Sequence, residues 1–461
     1  MKRVCALSLS VLLLTVILAG CGSNPTTAGS QSQSGNAFVT GEDAPLSSVV
    51  SFSVTINSIT LNGRNNTSAQ LISSPITVDF ARLLGLRSPL AFNSVAAGTY
   101  TSATFSLSNP VISYVDMSQT PPAVVKINGT LPQSPDSVTV NFPTAMLVSA
   151  NGLAGLKMEF DIRQSLALSS GQVTGAVNPV IYIKATRASD PDAKITSLIG
   201  GLVSVNASTN AFVMQGPYGR QLTVDVNNNT QFNSGWSITN LAVPAIVEVQ
   251  GSFQADGSLM ASGVEVVTTA QTYLSGRVLQ VTNDTFGRAS SITLWVGETG
   301  TDLASDVDTI QTIDVSAVTD YDICFLDGPV TESLFSNTSV EVGQRIFIGG
   351  SYAASTFTPQ MISLRLQGLY GSFVPGSVSV ASGNSGTFQV SNNGLVGFSA
   401  GGPVTLHTGN ATMFLNMNGL STLSADTTAV PIVAHGLLLE DTTTSNVSFY
   451  AGFVADPPQA N

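Results

Sequence analysis

An all-β, mainly antiparallel fold is predicted by three features of this sequence. Apolar residues alternate with polar ones over short runs, Asn-Gly and Asp-Gly dipeptides separate those runs, and helical periodicity is nearly absent. Leu156, Met158, Phe160 and Ile162 interleave with Lys157, Glu159 and Asp161. Val138, Val140 and Phe142 interleave with Thr139 and Asn141, and Leu222, Val224 and Val226 with Thr223 and Asp225. Period two puts one set on a buried face and the other in water. The dipeptides at 62–63, 128–129, 151–152, 256–257, 327–328, 393–394 and 418–419 supply the positive φ values that tight hairpins require. One short helical pattern stands near Phe80 to Leu86.

The first residues follow a different pattern. Lys2 and Arg3 form a positive segment, Val4 to Leu18 an apolar one, and Leu18-Ala19-Gly20-Cys21 closes it. An apolar run of this length with small residues at its exit reads as a cleaved signal peptide over 1–20 rather than a spanning helix. The segment resembles the lipobox of bacterial lipoproteins, which implies cleavage before Cys21 and lipid on its sulfur. Two or three acyl chains, at about 0.8 kcal/mol per buried CH₂, hold a protein on a membrane where one does not. Gly22 and Ser23 follow the cysteine with no adjacent Asp, which by the lipoprotein sorting rule implies the outer membrane, on its periplasmic face or at the cell surface. Residues 21–36 then read as the lipidated cysteine and a flexible tether, since small polar residues cannot bury enough surface to offset ordering.

Composition narrows the partners. The net charge is −12, and the expected cut, which removes Lys2 and Arg3, takes it to −14. No cluster of Lys and Arg could follow a phosphate backbone, so no nucleic-acid partner is expected. No second run of about twenty apolar residues occurs to span a membrane as a helix. Of three cysteines, Cys5 leaves with the signal, Cys21 carries lipid and Cys324 stays alone. A fold without internal disulfides follows. Cys324 lies in the apolar Tyr-Asp-Ile-Cys-Phe run, where a buried, inert thiol is expected.

The stretch Lys184 to Lys194 concentrates charge and proline and sets a boundary near Asp190. Beyond it a pattern recurs three times. Each copy opens on an apolar strand with glycine: Ile199-Gly200-Gly201-Leu202, Leu274-Ser275-Gly276-Arg277 and Leu369-Tyr370-Gly371-Ser372. Each carries Thr-x-aromatic, as Thr230 with Phe232, Thr319 with Tyr321 and Thr412 with Phe414. Each then has an apolar strand ending in glycine, at Gly251, at Gly349-Gly350 and at Gly436, and a closing strand near 264–267, 361–366 and 447–453. Such units fit small antiparallel β-barrel-like, OB-like modules. They are placed at 195–269, at 270–367 with an insertion, and at 368–455 as a divergent copy.

Two resemblances add to this. Gly41-Glu42-Asp43-Ala44-Pro45, the strand with Val54, Ile56, Ile59 and Leu61, Ile76-Thr77-Val78-Asp79-Phe80, and Val95-Ala96-Ala97-Gly98-Thr99-Tyr100 occur in an order that resembles the bacterial domain of unknown function 4382. The likeness covers about 37–185. The Ala-Gly-Thr-Tyr element also looks like the turn into a strand of transthyretin-like sandwiches. A β-sandwich of transthyretin or Ig type is the implied fold for 37–188. The segments GLVSVNASTNAFVMQ, LTVDVNNNTQF and VEVQGSFQADGSLMASGVEV resemble the domain of unknown function 5666 over about 199–267. Neither family implies an activity, a cofactor or a catalytic set.

The chemistry-bearing residues are few. His407 and His435 are the only histidines, both in the third repeat, and read as surface or strand-end residues rather than as a catalytic or zinc pair. Glu298, Asp302, Asp306, Asp308 and Asp314 cluster in and after the insertion at Gly297 to Thr309. Their spacing is not that of an EF-hand, so a solvated acidic loop is expected, with Ca²⁺ as the ligand if the oxygens converge. Trp236, in the polar turn Asn-Ser-Gly-Trp-Ser, is the candidate ligand platform, while Trp295 alternates in an apolar strand and reads as core. Apart from covalent lipid, no cofactor, metal or catalytic residue is expected. The whole reads as a non-catalytic binding or adhesion protein, a row of β-domains on a lipid anchor facing a glycan or envelope protein. A structural component of an envelope complex is the alternative, with a hydrolase behind both.

Overall fold

Strands carry most of the chain, as the alternation predicts. The computed structural model describes residues 34–456 apart from 45–48, 65–66, 73, 84–86, 117, 120–121, 170–171, 217–218, 271, 326–333, 392–401, 416 and 442–445. The expected signal peptide, Cys21 and tether residues 22–33 lie outside them. Among the described residues helix is limited to short pieces: α1 (Ile162–Ser165), α2 (Leu420–Ala425) and a few 3-10 turns. One of these turns, Phe80–Leu83, is the structured part of the helical pattern near Phe80 to Leu86. No helix among the described residues is long and apolar enough to cross a membrane.

Residues 34–186 form β1 (Ser34–Ala44), β2 (Val49–Gly63), β3 (Ser68–Gln70), β4 (Ile76–Asp79), β5 (Ser88–Ala96), β6 (Gly98–Asp116), β7 (Ala123–Asn128), β8 (Asp136–Val148), β9 (Leu153–Asp161), β10 (Leu166–Ser169), β11 (Gln172–Val177) and β12 (Ile181–Thr186). Because β1 begins at Ser34, paired with Ala96, the last three residues of the expected tether belong to a ladder. One sheet runs β12-β9-β1-β5, with β1 and β9 parallel. A second is built on β2 and the long β6, whose far edge takes β8 along its first half and β7 along its second, while β10 and β11 form a two-stranded sheet with each other. Both sheets feed one core, in which the Phe52 and Phe80 rings lie 5.0 and 4.9 Å from Phe160. Tyr100 is fully buried there, and its hydroxyl donates back to the Ala96 carbonyl at 2.7 Å.

Three six-stranded sheets follow. The first comprises β13 (Ile195–Asn206), β14 (Ala211–Gln215), β15 (Gln221–Asp225), β16 (Gln231–Phe232), β17 (Ile246–Phe253) and β18 (Leu259–Thr268). The second comprises β19 (Thr272–Asn283), β20 (Ala289–Thr299), β21 (Thr309–Asp314), β22 (Asp320–Ile323), β23 (Arg345–Ala353) and β24 (Thr356–Leu364). The third comprises β25 (Gln367–Phe373), β26 (Ser379–Ser382), β27 (Ser385–Ser391), β28 (Val404–Leu415), β29 (Pro431–Glu440) and β30 (Val447–Ala455). Strand order is β15-β14-β13-β17-β18-β16 in the first and β21-β20-β19-β23-β24-β22 in the second, the same arrangement twice. The third keeps the corresponding run β25-β29-β30-β28 and departs beyond it.

The repeated residues have a common cause. Phe232 and Tyr321, on short strands, and Phe414, at the end of the long β28, each pair in parallel with the closing strand, opposite Val264, Ile362 and Val454. Thr230 and Thr412 donate to the closing-strand carbonyls of Ala261 and Ala451, both at 2.8 Å. The register shifts at Gln250/Gly251, Gly349/Gly350 and His435/Gly436 fall at one place in the fold. A Cβ on Gly251, Gly350 or Gly436 would collide with the carbonyl oxygen of Met260, Thr358 or Tyr450, so each bulge requires glycine.

The described residues fall within one compact unit, in which the sheets pack on one another. Phe38 and Phe92 reach Phe253 of the first module at 5.0 and 5.7 Å. Val50 and Val115 pack on Leu279 and Trp295 of the second, and the Arg163 guanidinium lies 4.6 Å over the Tyr370 ring of the third. Arginines recur at these seams: Arg87 donates to the Pro191 carbonyl and Arg220 to the Leu90 carbonyl. The same packing explains a departure from the alternation. Glu159 and Asp161, on the polar phase of β9, are buried rather than solvated. Burial pushes the hydroxyl pKa of Tyr370 upward, the Arg163 charge opposes it, and the Asp161 and Glu159 charges add to the rise.

Candidate functional site

Period two divides β19 and β23 of the second module between two surroundings. Leu274, Ile346 and Ile348 point into the module's own core. The alternate residues Tyr273 and Phe347 point outward, stacked at 4.8 Å, and pack on Ile199, Ile246 and Val267 of the first module. Arg277 and Arg345 occupy the same outward phase, directly opposite each other in the ladder. Cross-strand neighbours lie about 5 Å apart at Cβ, and like charges there are destabilising.

Where these strands, the first module and the 3-10 turn at Phe80–Leu83 meet, a cleft of about 580 Å³ opens, with Arg82, Gly201, Tyr273, Glu298, Thr301 and Arg345 among its walls. Tyr273 donates to Glu298 Oε1 at 3.2 Å, and burial, with the Glu298 charge, holds its pKa well above the ordinary value. Arg82 is held by Asp79 at 2.9 Å. Arg345 places Nη1 on the Leu366 carbonyl at 2.9 Å, and burial lowers its pKa while Glu298 opposes the shift. Arg277 is the least compensated: its Nη1 is buried with no hydrogen-bond partner. Burial first, and the Arg345 charge second, bring its pKa down to about 9.

A second charged cluster closes the seam between the first two modules. Glu248 on β17 and Glu265 on β18 are cross-strand partners, and both accept from Arg365 of the second module, which is fully buried. Arg365 Nη1 lies 2.6 Å from Glu265 Oε1 and 3.1 Å from Ser363 Oγ. Ser197 donates to Glu248, and the Phe325 amide donates to Glu265 Oε2 at 3.0 Å. Cys324 is a buried thiol whose Sγ lies 3.9 Å from Glu248 Oε2. Among the described residues, Glu248, Glu265 and Cys324 are the group close enough to share a metal ion. The Arg365 guanidinium already stands on both carboxylates there and supplies the cation.

The residues singled out in the sequence do not meet at either place. Trp236 lies after β16, half-buried, with its ring packed against the first module's core. Trp295 is 4% exposed, and its indole Nε1 faces Asp308 at 3.4 Å. The acids of the insertion divide among separate partners. Glu298 takes Tyr273, Asp308 takes Ser113 at 2.6 Å and Lys126 at 3.3 Å, and Asp314 takes the Ser316 hydroxyl at 2.6 Å. His407 stacks on Tyr450 at 4.6 Å and points Nε2 toward Asp441 at 3.7 Å, while His435 is buried against Phe453 at 4.7 Å. Cys21 lies outside the described residues.

Burial pulls the His407 pKa below its ordinary 6.5, with Asp441 opposing. A depressed imidazole disfavours the protonated form on folding, so the penalty is absent above 6.5 and grows as pH falls through that value. Urea midpoints at steps from pH 7.5 to 5.5 should therefore fall on acidification, with a shallower fall in His407→Gln. Equal slopes in the two proteins would refute the assignment.

A family model described as Domain of unknown function (DUF5666) matches residues 200–265. That span runs from Gly200 on β13 to Glu265 on β18, most of the first module. No curated protein and no solved structure matches the chain.

Proposed function

We propose that this chain is a lipid-anchored, non-catalytic binding protein of the bacterial cell envelope, and that its ligand site is the cleft between the N-terminal sheets and the first two modules. The cleft itself carries the proposal. It is concave, it is built from three parts of the chain, and a few polar and charged groups stand among apolar and glycine walls, the usual make-up of a ligand site. Lipid on Cys21 would hold the protein on the outer membrane, with residues 22–33 as the tether. Two sheets around one core favour a β-sandwich for the N-terminal part, where the likeness to the domain of unknown function 4382 falls. The parallel pairing that joins the short fourth strand to the closing strand favours small OB-like barrels for the modules.

The alternative, a structural component of an envelope complex, draws on the extent to which the domains use their faces on one another. A photo-reactive benzoylphenylalanine at Thr301, an exposed residue of the cleft wall, separates the two in intact cells. Adducts with envelope polysaccharide, formed from Thr301 and absent from a control position at Ser382, are the expected result. Capture of one envelope protein in fixed proportion would instead favour the structural role.

A further inference from the structure

Resting on the proposal that the cleft is the ligand site, we infer that its ligand is an acidic saccharide whose carboxylate sits on Arg345, with the Arg277 charge beside it in the ladder. The chain is strongly acidic overall, at −12, yet two arginines face each other across β19 and β23. A buried cation is costly unless an anion pairs with it. Arg82 has Asp79, and Arg365 has Glu248 and Glu265. Arg277 has no carboxylate partner and leaves Nη1 unbonded, and Glu298 answers only one of the positive charges around the cleft. A bound carboxylate supplies the missing charge, and the planar guanidinium fork suits it geometrically.

The remaining walls suit a hydroxyl-rich molecule. Ser88, Gln215, Thr299 and Thr301 bring side-chain donors and acceptors, and Gly200 and Gly201 expose strand backbone. Tyr273, buried on Phe347 and the first module, closes the wall between them. Uncompensated charge at this point also lowers the stability of the free protein, as binding sites commonly do.

The test uses the full chain in detergent micelles, titrated by calorimetry with α-1,4-tetragalacturonate and with its fully methyl-esterified form, which has the same shape without charge. Inorganic sulfate serves as a minimal anion in thermal unfolding. The acid is expected to bind at least about tenfold tighter than the ester. Arg345→Met is expected to weaken the acid by about 10- to 100-fold, the worth of one charge-assisted hydrogen bond, Arg277→Met, which removes only the neighbouring charge, by less, and both should leave the ester unchanged. Arg277→Met should also raise the midpoint of thermal unfolding, and Arg345→Met should abolish stabilisation by sulfate. Gly201→Trp fills the cleft, since a Cβ there meets only Ile246 Cδ1 at 3.9 Å, and it should remove binding of both saccharides. Equal binding of acid and ester, lost in Gly201→Trp but not in the arginine variants, would overturn the acidic ligand and keep the cleft. Binding that survives Gly201→Trp would overturn the cleft itself. No response to tetragalacturonate or sulfate would overturn the anion site.

Discussion

Replacing Arg365 with methionine should open the seam between the first two modules and speed the reaction of Cys324 with a thiol reagent by about 100-fold or more. Removing one partner of a buried ion pair costs about 3–5 kcal/mol, and each 1.4 kcal/mol is about a factor of ten in an opening equilibrium. Here the loss would leave Glu248 and Glu265 facing each other across the β17–β18 ladder with no cation between them. Cys324 is 2% exposed and borders Glu248, so it reports directly on that seam. Labelling located by peptide mass separates it from any other thiol. The triple variant Glu248→Leu, Glu265→Leu, Arg365→Met should return to within about tenfold of the parent rate, since apolar replacement of a whole buried ion network is often neutral or stabilising. Unchanged Cys324 reactivity in Arg365→Met would mean that the network does not hold the modules together.

Two adjacent glycines should respond in opposite ways. A Cβ on Gly200 would enter the van der Waals shell of the Gln215 carbonyl oxygen, a backbone atom that cannot step aside. Gly200→Ala should cost about 3 kcal/mol, the upper range for overpacking. The same methyl on Gly201 meets nothing nearer than Ile246 Cδ1 at 3.9 Å, so Gly201→Ala should stay within about 0.5 kcal/mol. Urea midpoints of both variants decide the matter. Similar losses at the two positions would show that the β13–β14 approach is not as close as described. Gly276, placed against Trp295 in the second module as Gly200 is against Gln215 in the first, should behave like Gly200.

Much of the fold was legible because its causes are local. Alternation marks strands such as 153–161, and the recurring Thr-x-aromatic and terminal glycines mark one parallel pairing and one bulge in each of three sheets. What sequence could not reveal was which outward faces would be covered. Val247-Glu248-Val249 and Val264-Glu265-Val266 read as ordinary strands with a glutamate toward water, yet both glutamates are buried because the second module packs on that face. Arg365 follows the same rule, and Arg277 and Arg345, half-buried on the outward phase of β19 and β23, follow it in part. The signal was present in retrospect, as arginines set in the most apolar segments of a chain with sixteen basic residues. Trp236 stands among polar neighbours, but the sequence does not encode that it packs against the first module's core.

Hydrogen exchange on the full chain, with and without tetragalacturonate, tests the cleft most directly. The account predicts added protection confined to amides of 199–203 on β13, 299–301 at the end of β20 and 345–347 on β23, with none around Trp236. Protection centred on 233–240, or spread over the third module, would contradict it and move the ligand site elsewhere.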